Sequence, residues 1–97
     1  MTAQFELLLE TEDSSIVASL QDEVDEALAT IDGVTLKSQS KDTVRNLSGE
    51  EIILSYVISL AAGVTIEVVK SLVVSRIEKR KLSAEVNSRE IPPDDVQ

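Results

Sequence analysis

The side chains able to do chemistry in this chain are almost all carboxylates. Two close sets occur, in "QDEVDEAL" (Gln21–Leu28) and "SGEE" (Ser48–Glu51). Paired acids can run hydrolysis, or they can ligate a hard cation through oxygen. Either task needs them in a loop or cleft with basic or glycine-rich neighbours, and the first set has no such context. Asp22, Glu23, Asp25 and Glu26 fall mainly on the outer side of a helical stripe and read as a solvated face. There is no histidine and no cysteine. That removes the commonest general base, thiolate nucleophiles, disulfides and the usual zinc and iron sites. The serines, including those of "DSS" (Asp13–Ser15), have no histidine to activate them. Gly49 and Gly63 are isolated, so there is no phosphate loop. The basic run "RIEKRK" (Arg76–Lys81) suits phosphate or lipid head groups, and equally suits the C-terminal end of a helix, where cations answer the dipole. The chain reads as a non-enzyme with no catalytic, cofactor-binding or metal-binding residues.

The totals bound the rest. Ninety-seven residues make one domain with a modest core. Apolar content is 42%, so the chain folds, but its only aromatic residues are Phe5 and Tyr56, and the core must come from Val, Ile, Leu and Ala. A net charge of −9 argues against nucleic acid, because phosphate binding runs on clustered Lys and Arg. The charge is uneven. Residues 1–36 hold nine acids and no base, whereas residues 70–81 hold five bases against one acid. Such patches are either ordinary wet helix faces or the poles of a head-to-tail or partner contact. "MTAQFELLLETED" has neither a basic start nor a long apolar run, so no secretory signal is read there and a cytoplasmic location is expected.

The elements follow from periodicity. "FELLLET" (Phe5–Thr11) reads as a strand covered on both faces or nearly so. Ile16, Leu20, Val24, Ala27, Leu28 and Ile31 form a helical stripe, with Asp13, Ser14 or Ser15 to cap it and Asp32-Gly33 to stop it. Val34 and Leu36 suggest a short strand that fades into a polar loop, "SQSKDTVRN". Ser48 and Glu51 have capping-box spacing, and the spacing predicts a long helix from there to about Lys79. Leu82, Ala84 and Val86 alternate as a last strand, and residues 89–97 read as a flexible acidic tail containing Pro92-Pro93. The expected fold is α+β (or small α/β), β-α-β-α-β over residues 1–88, with a three-stranded sheet and a long, strongly apolar second helix.

That second helix is the misfit. At close to 30 residues it would be about 45 Å long, more than so small a sheet can cover. Residues 52–66 carry no charge, but a membrane span needs about 20 apolar residues, and Glu67 and Lys70 interrupt any extension. Ser55, Ser59 and Gly63 make a small-xxx-small row. Ile53, Val57, Leu60, Val64 and Val68 would share one face, while Ile52, Ile58, Ile66, Val69 and Val73 lie on the others. A helix apolar all round must be buried all round. An interaction surface is therefore expected on Ile53, Val57, Leu60, Ala61, Val64, Val68, Leu72 and Arg76.

The second half also carries a family pattern: "SGEE", an apolar stretch with "LAAGV", then "VVKSLVVSRIEKRKLSAEV". It resembles the effector-associated constant component domains of bacterial conflict (anti-phage defence) systems, over about residues 4–88. Gly49-Glu50, Ala61, Ala62, Gly63, Leu72, Ser75 and Arg76 stand at the corresponding places. The tryptophans that the family typically carries are missing here. The resemblance implies a non-enzymatic component that holds or regulates an effector such as a protease or caspase-like peptidase. The leading expectation is thus an adaptor or regulatory component, binding an effector, its own copies, or both, through the second helix. The alternatives are an acidic inhibitor of antitoxin or immunity type, acting through Asp22, Glu23, Asp25 and Glu26, and a small single-span membrane effector.

Overall fold

The computed structural model describes residues 3–47 and 49–91. It contains β1 (Ala3–Thr11), a 3-10 turn (Ser14–Ile16), α1 (Val17–Ala29), β2 (Val34–Asn46), β3 (Gly49–Leu60), α2 (Ile66–Lys79) and β4 (Glu85–Ile91). The four strands form one antiparallel sheet in the order β2-β3-β1-β4. Two helices cover one face, in the β-α-β-β-α-β arrangement known as ferredoxin-like.

The α+β class stands as expected, but the three-stranded sheet and the long second helix do not. Residues 49–60 are a central strand, and α2 begins only at Ile66. On β3, Ile52, Leu54, Tyr56, Ile58 and Leu60 all point into the core, each 5% exposed or less. Between them Glu51, Ile53, Ser55, Val57 and Ser59 face the other way, half-buried. A strand in the middle of a sheet carries apolar residues on both faces, and this is why the segment looked apolar in every direction. Glu51 lies in this strand, so it caps no helix; Ser48 lies outside the described residues. Ser55 and Ser59 share a sheet face, not a helix face, and Gly63 belongs to the turn between β3 and α2. Among the described residues, no helix is long and apolar enough to cross a membrane.

The polar stretch expected as a loop is the bulk of β2. This strand has thirteen residues and pairs with β3 from Val34↔Leu60 to Asn46↔Gly49, with a bulge between Leu36 and Ser38. It lies at the sheet edge, and all but Val34 are exposed. Lys37 sits at the bulge, with Lys41 and Arg45 further along. β4 starts at Glu85, so Leu82 and Ala84 precede it as half-buried residues packed on the core. Of the expected tail, residues 89–91 belong to β4 and residues 92–97 lie outside the described residues.

The core is a single cluster. Phe5, Leu7 and Leu9 of β1 and the five β3 side chains meet Leu20, Val24, Ala27 and Leu28 of α1 and Val69, Val73 and Ile77 of α2. The α1 stripe is the one read from the sequence, with Ile16 and Ile31 packed at its ends. Asp13 accepts a hydrogen bond from the Ser15 amide at 3.0 Å and opens the turn before α1. Gly33 has φ +87°, and a Cβ there would meet Val64 and Ala61 at 3.0 and 3.2 Å. The stop after α1 is thus also the point where the β3–α2 turn packs, held by the Ala61 amide donating to the Gly33 carbonyl at 2.8 Å. Thr65 caps α2, accepting from the Val68 amide at 3.3 Å. At the other end the Leu82 and Lys81 amides donate to the Ile77 and Glu78 carbonyls, a Schellman closure with Lys81 at φ 57° where glycine is usual.

Candidate functional site

Two polar constellations stand out, one between the helices and one on the uncovered face of the sheet. Between the helices, Glu23 is only 6% exposed although it is charged. A buried carboxylate needs partners, and α2 supplies them. Arg76 Nε lies 3.3 Å from one Glu23 oxygen and Arg80 Nη1 lies 3.3 Å from the other. Arg76 Nη2 donates to Glu26 at 2.5 Å. The Arg76 Nε–H is buried and makes no hydrogen bond, so its link to Glu23 is charge attraction alone. Glu23 and Glu26 thus form a clamp joining α1 to α2, with Glu23 alone buried; Glu26, Asp22 and Asp25 are exposed. Of the four acids expected to form the acidic face of an inhibitor, Glu23 alone is withdrawn from the surface. Below it, the Tyr56 hydroxyl is pushed up to about 12, first by burial and then by the nearby Asp25 charge.

The uncovered face is set by register. Directly opposed residues in a sheet point to the same side. On β1 this face carries Gln4, Glu6, Leu8 and Glu10, and on β3 Glu51, Ile53, Ser55, Val57 and Ser59. Leu8 is opposite Ser55, so Ile53 and Val57 flank it diagonally and the three make an apolar spot on the two central strands. Val57 has Glu6 on one side and Ser38 on the other, and Glu6 accepts from Arg89 Nη2 of β4 at 2.8 Å. Ile53 has Glu10 on one side and Asp42 on the other, Glu51 two residues along its own strand, and Glu85 beyond Glu10. Glu10, Glu51 and Glu85, with Glu12, line a shallow cleft of about 320 Å³ at this end. Thr11 and Ser83 also line it, the Thr11 hydroxyl donating to the Ser83 carbonyl at 2.8 Å. No group of three acids among the described residues is placed to hold a metal ion.

The residues expected to form one helical interface are scattered by this fold. Ile53 and Val57 lie together on the uncovered sheet face. Leu60 is in the core, 2% exposed, and Ala61 is in the following turn. Val64 packs against the core edge and against Gly33. Val68 is exposed, Leu72 is half-buried, and Arg76 is committed to Glu23 and Glu26. Leu8, Glu10 and Glu85 belong to the uncovered face and were not singled out, because only strand register brings them beside Ile53.

No family model matches the chain, and no curated protein matches it. Solved structures do. The C-terminal domain of the MgtC protein from Mycobacterium tuberculosis is similar at 9% identity and a TM-score of 0.70, over 98% of this chain and 94% of that one. An ACT domain protein from Streptococcus pneumoniae is similar at 15% identity and a TM-score of 0.62, over 91% and 89%. A PII-like signalling protein from Thermus thermophilus is similar at 15% identity and a TM-score of 0.58, over 97% and 95%. Likeness at such low identity shows the fold and leaves function to be argued from the surface.

Proposed function

We propose that this protein is a non-enzymatic adaptor or regulatory module that works by holding a partner protein on the uncovered face of its sheet. The observation that carries this is the Leu8, Ile53 and Val57 spot at the centre of that face, on the two innermost strands, with no helix or strand among the described residues laid over it. Sheets bury apolar faces against a second layer, and here the helices occupy only the other side. The non-catalytic part of the reading rests on composition, which offers no histidine or cysteine. The ACT-type and PII-type likenesses agree with a regulatory role, one of them being named a signalling protein. The resemblance to effector-associated components points to a bacterial defence effector such as a peptidase as the partner. The contact surface moves from the second helix to the sheet.

The test is a photo-crosslinking residue at Val57, compared with one at Asp22 on the outside of α1, in the native host. A discrete adduct from position 57 alone, with a mass equal to this chain plus a hydrolase, supports the reading. Adducts from both positions alike, or from position 22 alone, overturn it.

A further inference from the structure

We propose that the end of the uncovered face around Ile53 receives a basic amphipathic helix of the partner, with its apolar stripe on Leu8 and Ile53 and its lysines or arginines on the surrounding acids. This rests on the partner-binding reading above and adds the chemistry of the occupant.

The charge pattern carries it. Four carboxylates, Glu10, Asp42, Glu51 and Glu85, surround Ile53. The base that β4 places on this face, Arg89, is taken by Glu6. Arg45 pairs with Glu50, and Arg76 and Arg80 pair with Glu23 and Glu26, so these arginines answer other acids. Among the described residues, no base lies within 4 Å of any of the four. Glu10 and Glu85 are moreover directly opposed across β1 and β4, an arrangement of like charges that destabilises a sheet. A cationic partner relieves that repulsion as it covers the apolar spot. A second copy laid face to face with its two-fold axis through this end does the reverse, since the four acids of one protomer then meet those of the other. A helix is the element that already covers the opposite face of this sheet.

The test uses the full chain and, as probe, a fluorescein-labelled amphipathic helix of leucine and lysine, with a scrambled peptide of the same composition beside it. Affinity is read by anisotropy, location by amide shifts, and folding of each variant by its melting curve. Replacing Glu10→Gln with Glu51→Gln is expected to weaken the ordered probe about tenfold, and the equally charged control pair Asp22→Asn with Asp32→Asn less than about twofold. Shifts are expected on alternate residues of β1 and β3, with weaker binding by the scrambled peptide and loss of affinity as salt rises. Equal weakening by both variant pairs, shifts centred on α1, no binding, or a dimer through this face by light scattering would each overturn the proposal. If position 57 still crosslinks one partner in the host while the probe fails here, the inference about charge falls and the partner-binding reading survives. If position 57 captures nothing, both fall.

Discussion

On the covered side of β3, Ile52, Leu54, Tyr56, Ile58 and Leu60 are packed beneath two helices; on the other side, Ile53 and Val57 alternate with Ser55 and Ser59 and stay half-exposed. The two sets belong to the same twelve residues and have similar apolar character, yet they answer to different constraints. The covered set is fixed by volume, since its neighbours come from β1, α1 and α2 at once. The uncovered set is bounded only by its cross-strand partners, and those of Ile53 and Val57 are polar or acidic. One side of the strand maintains the fold, and the other is free to be specified by something outside it.

Mutation should separate the two sides. Leu54→Ala or Ile58→Ala leaves a cavity in a closed core and is expected to lower stability by about 2–5 kcal/mol in urea unfolding. Ile53→Ala or Val57→Ala is expected to cost under about 1 kcal/mol. Comparable losses on both sides would mean that the open face is closed in solution. Arg76→Ala leaves Glu23 buried with Arg80 alone, and is expected to cost about 1–3 kcal/mol; a Glu23→Gln, Arg76→Ala double variant should recover part of that. Glu85→Lys turns a like-charge cross-strand pair into an opposite one, and should stabilise the free protein by a few tenths to about 1 kcal/mol while weakening the cationic probe. A separate check lies at high pH. Tyr56 has a native pKa of about 12 against 10.0 for the free side chain. A raised native value means that its contribution is complete below pH 10 and is lost as pH rises through about 12. As it is the only tyrosine, its ultraviolet phenolate signal reads this directly, and ionisation near pH 10 in the folded protein would contradict its burial.

The contrast between the faces also explains what could be read in the sequence. The α1 stripe was legible because a helix packed on one side leaves a one-sided pattern, and Leu20, Val24, Ala27 and Leu28 are buried as that pattern requires. The segment 49–60 misled because Ile53, Val57 and Leu60 also match helical spacing. The period-two signal was nonetheless present: every second residue from Ile52 is large and apolar, and the intervening ones include Glu51, Ser55 and Ser59. β2 left no such trace. Both its faces are wet beyond Val34, and its strand form is dictated by pairing with β3, not by its own side chains. The acid-ringed spot was equally hidden, because Glu10, Asp42, Ile53 and Glu85 come from four strands and only register unites them. Glu23 carried no sequence mark distinguishing it from Asp22 or Asp25.

The outer edge of β2 offers thirteen residues of backbone with no neighbouring strand. An edge of that length is a template for uncontrolled sheet growth unless side chains interrupt it, and lysine is the usual interruption. Here the guard consists of Lys37 at the bulge, Lys41 and Arg45. Colloidal behaviour in this chain therefore depends on a few basic residues on one strand, within a molecule whose overall charge is −9. Acetylating the two lysines would raise the net repulsion between molecules and at the same time disarm the edge. Aggregation would then be decided by the contest between a global charge and a local one.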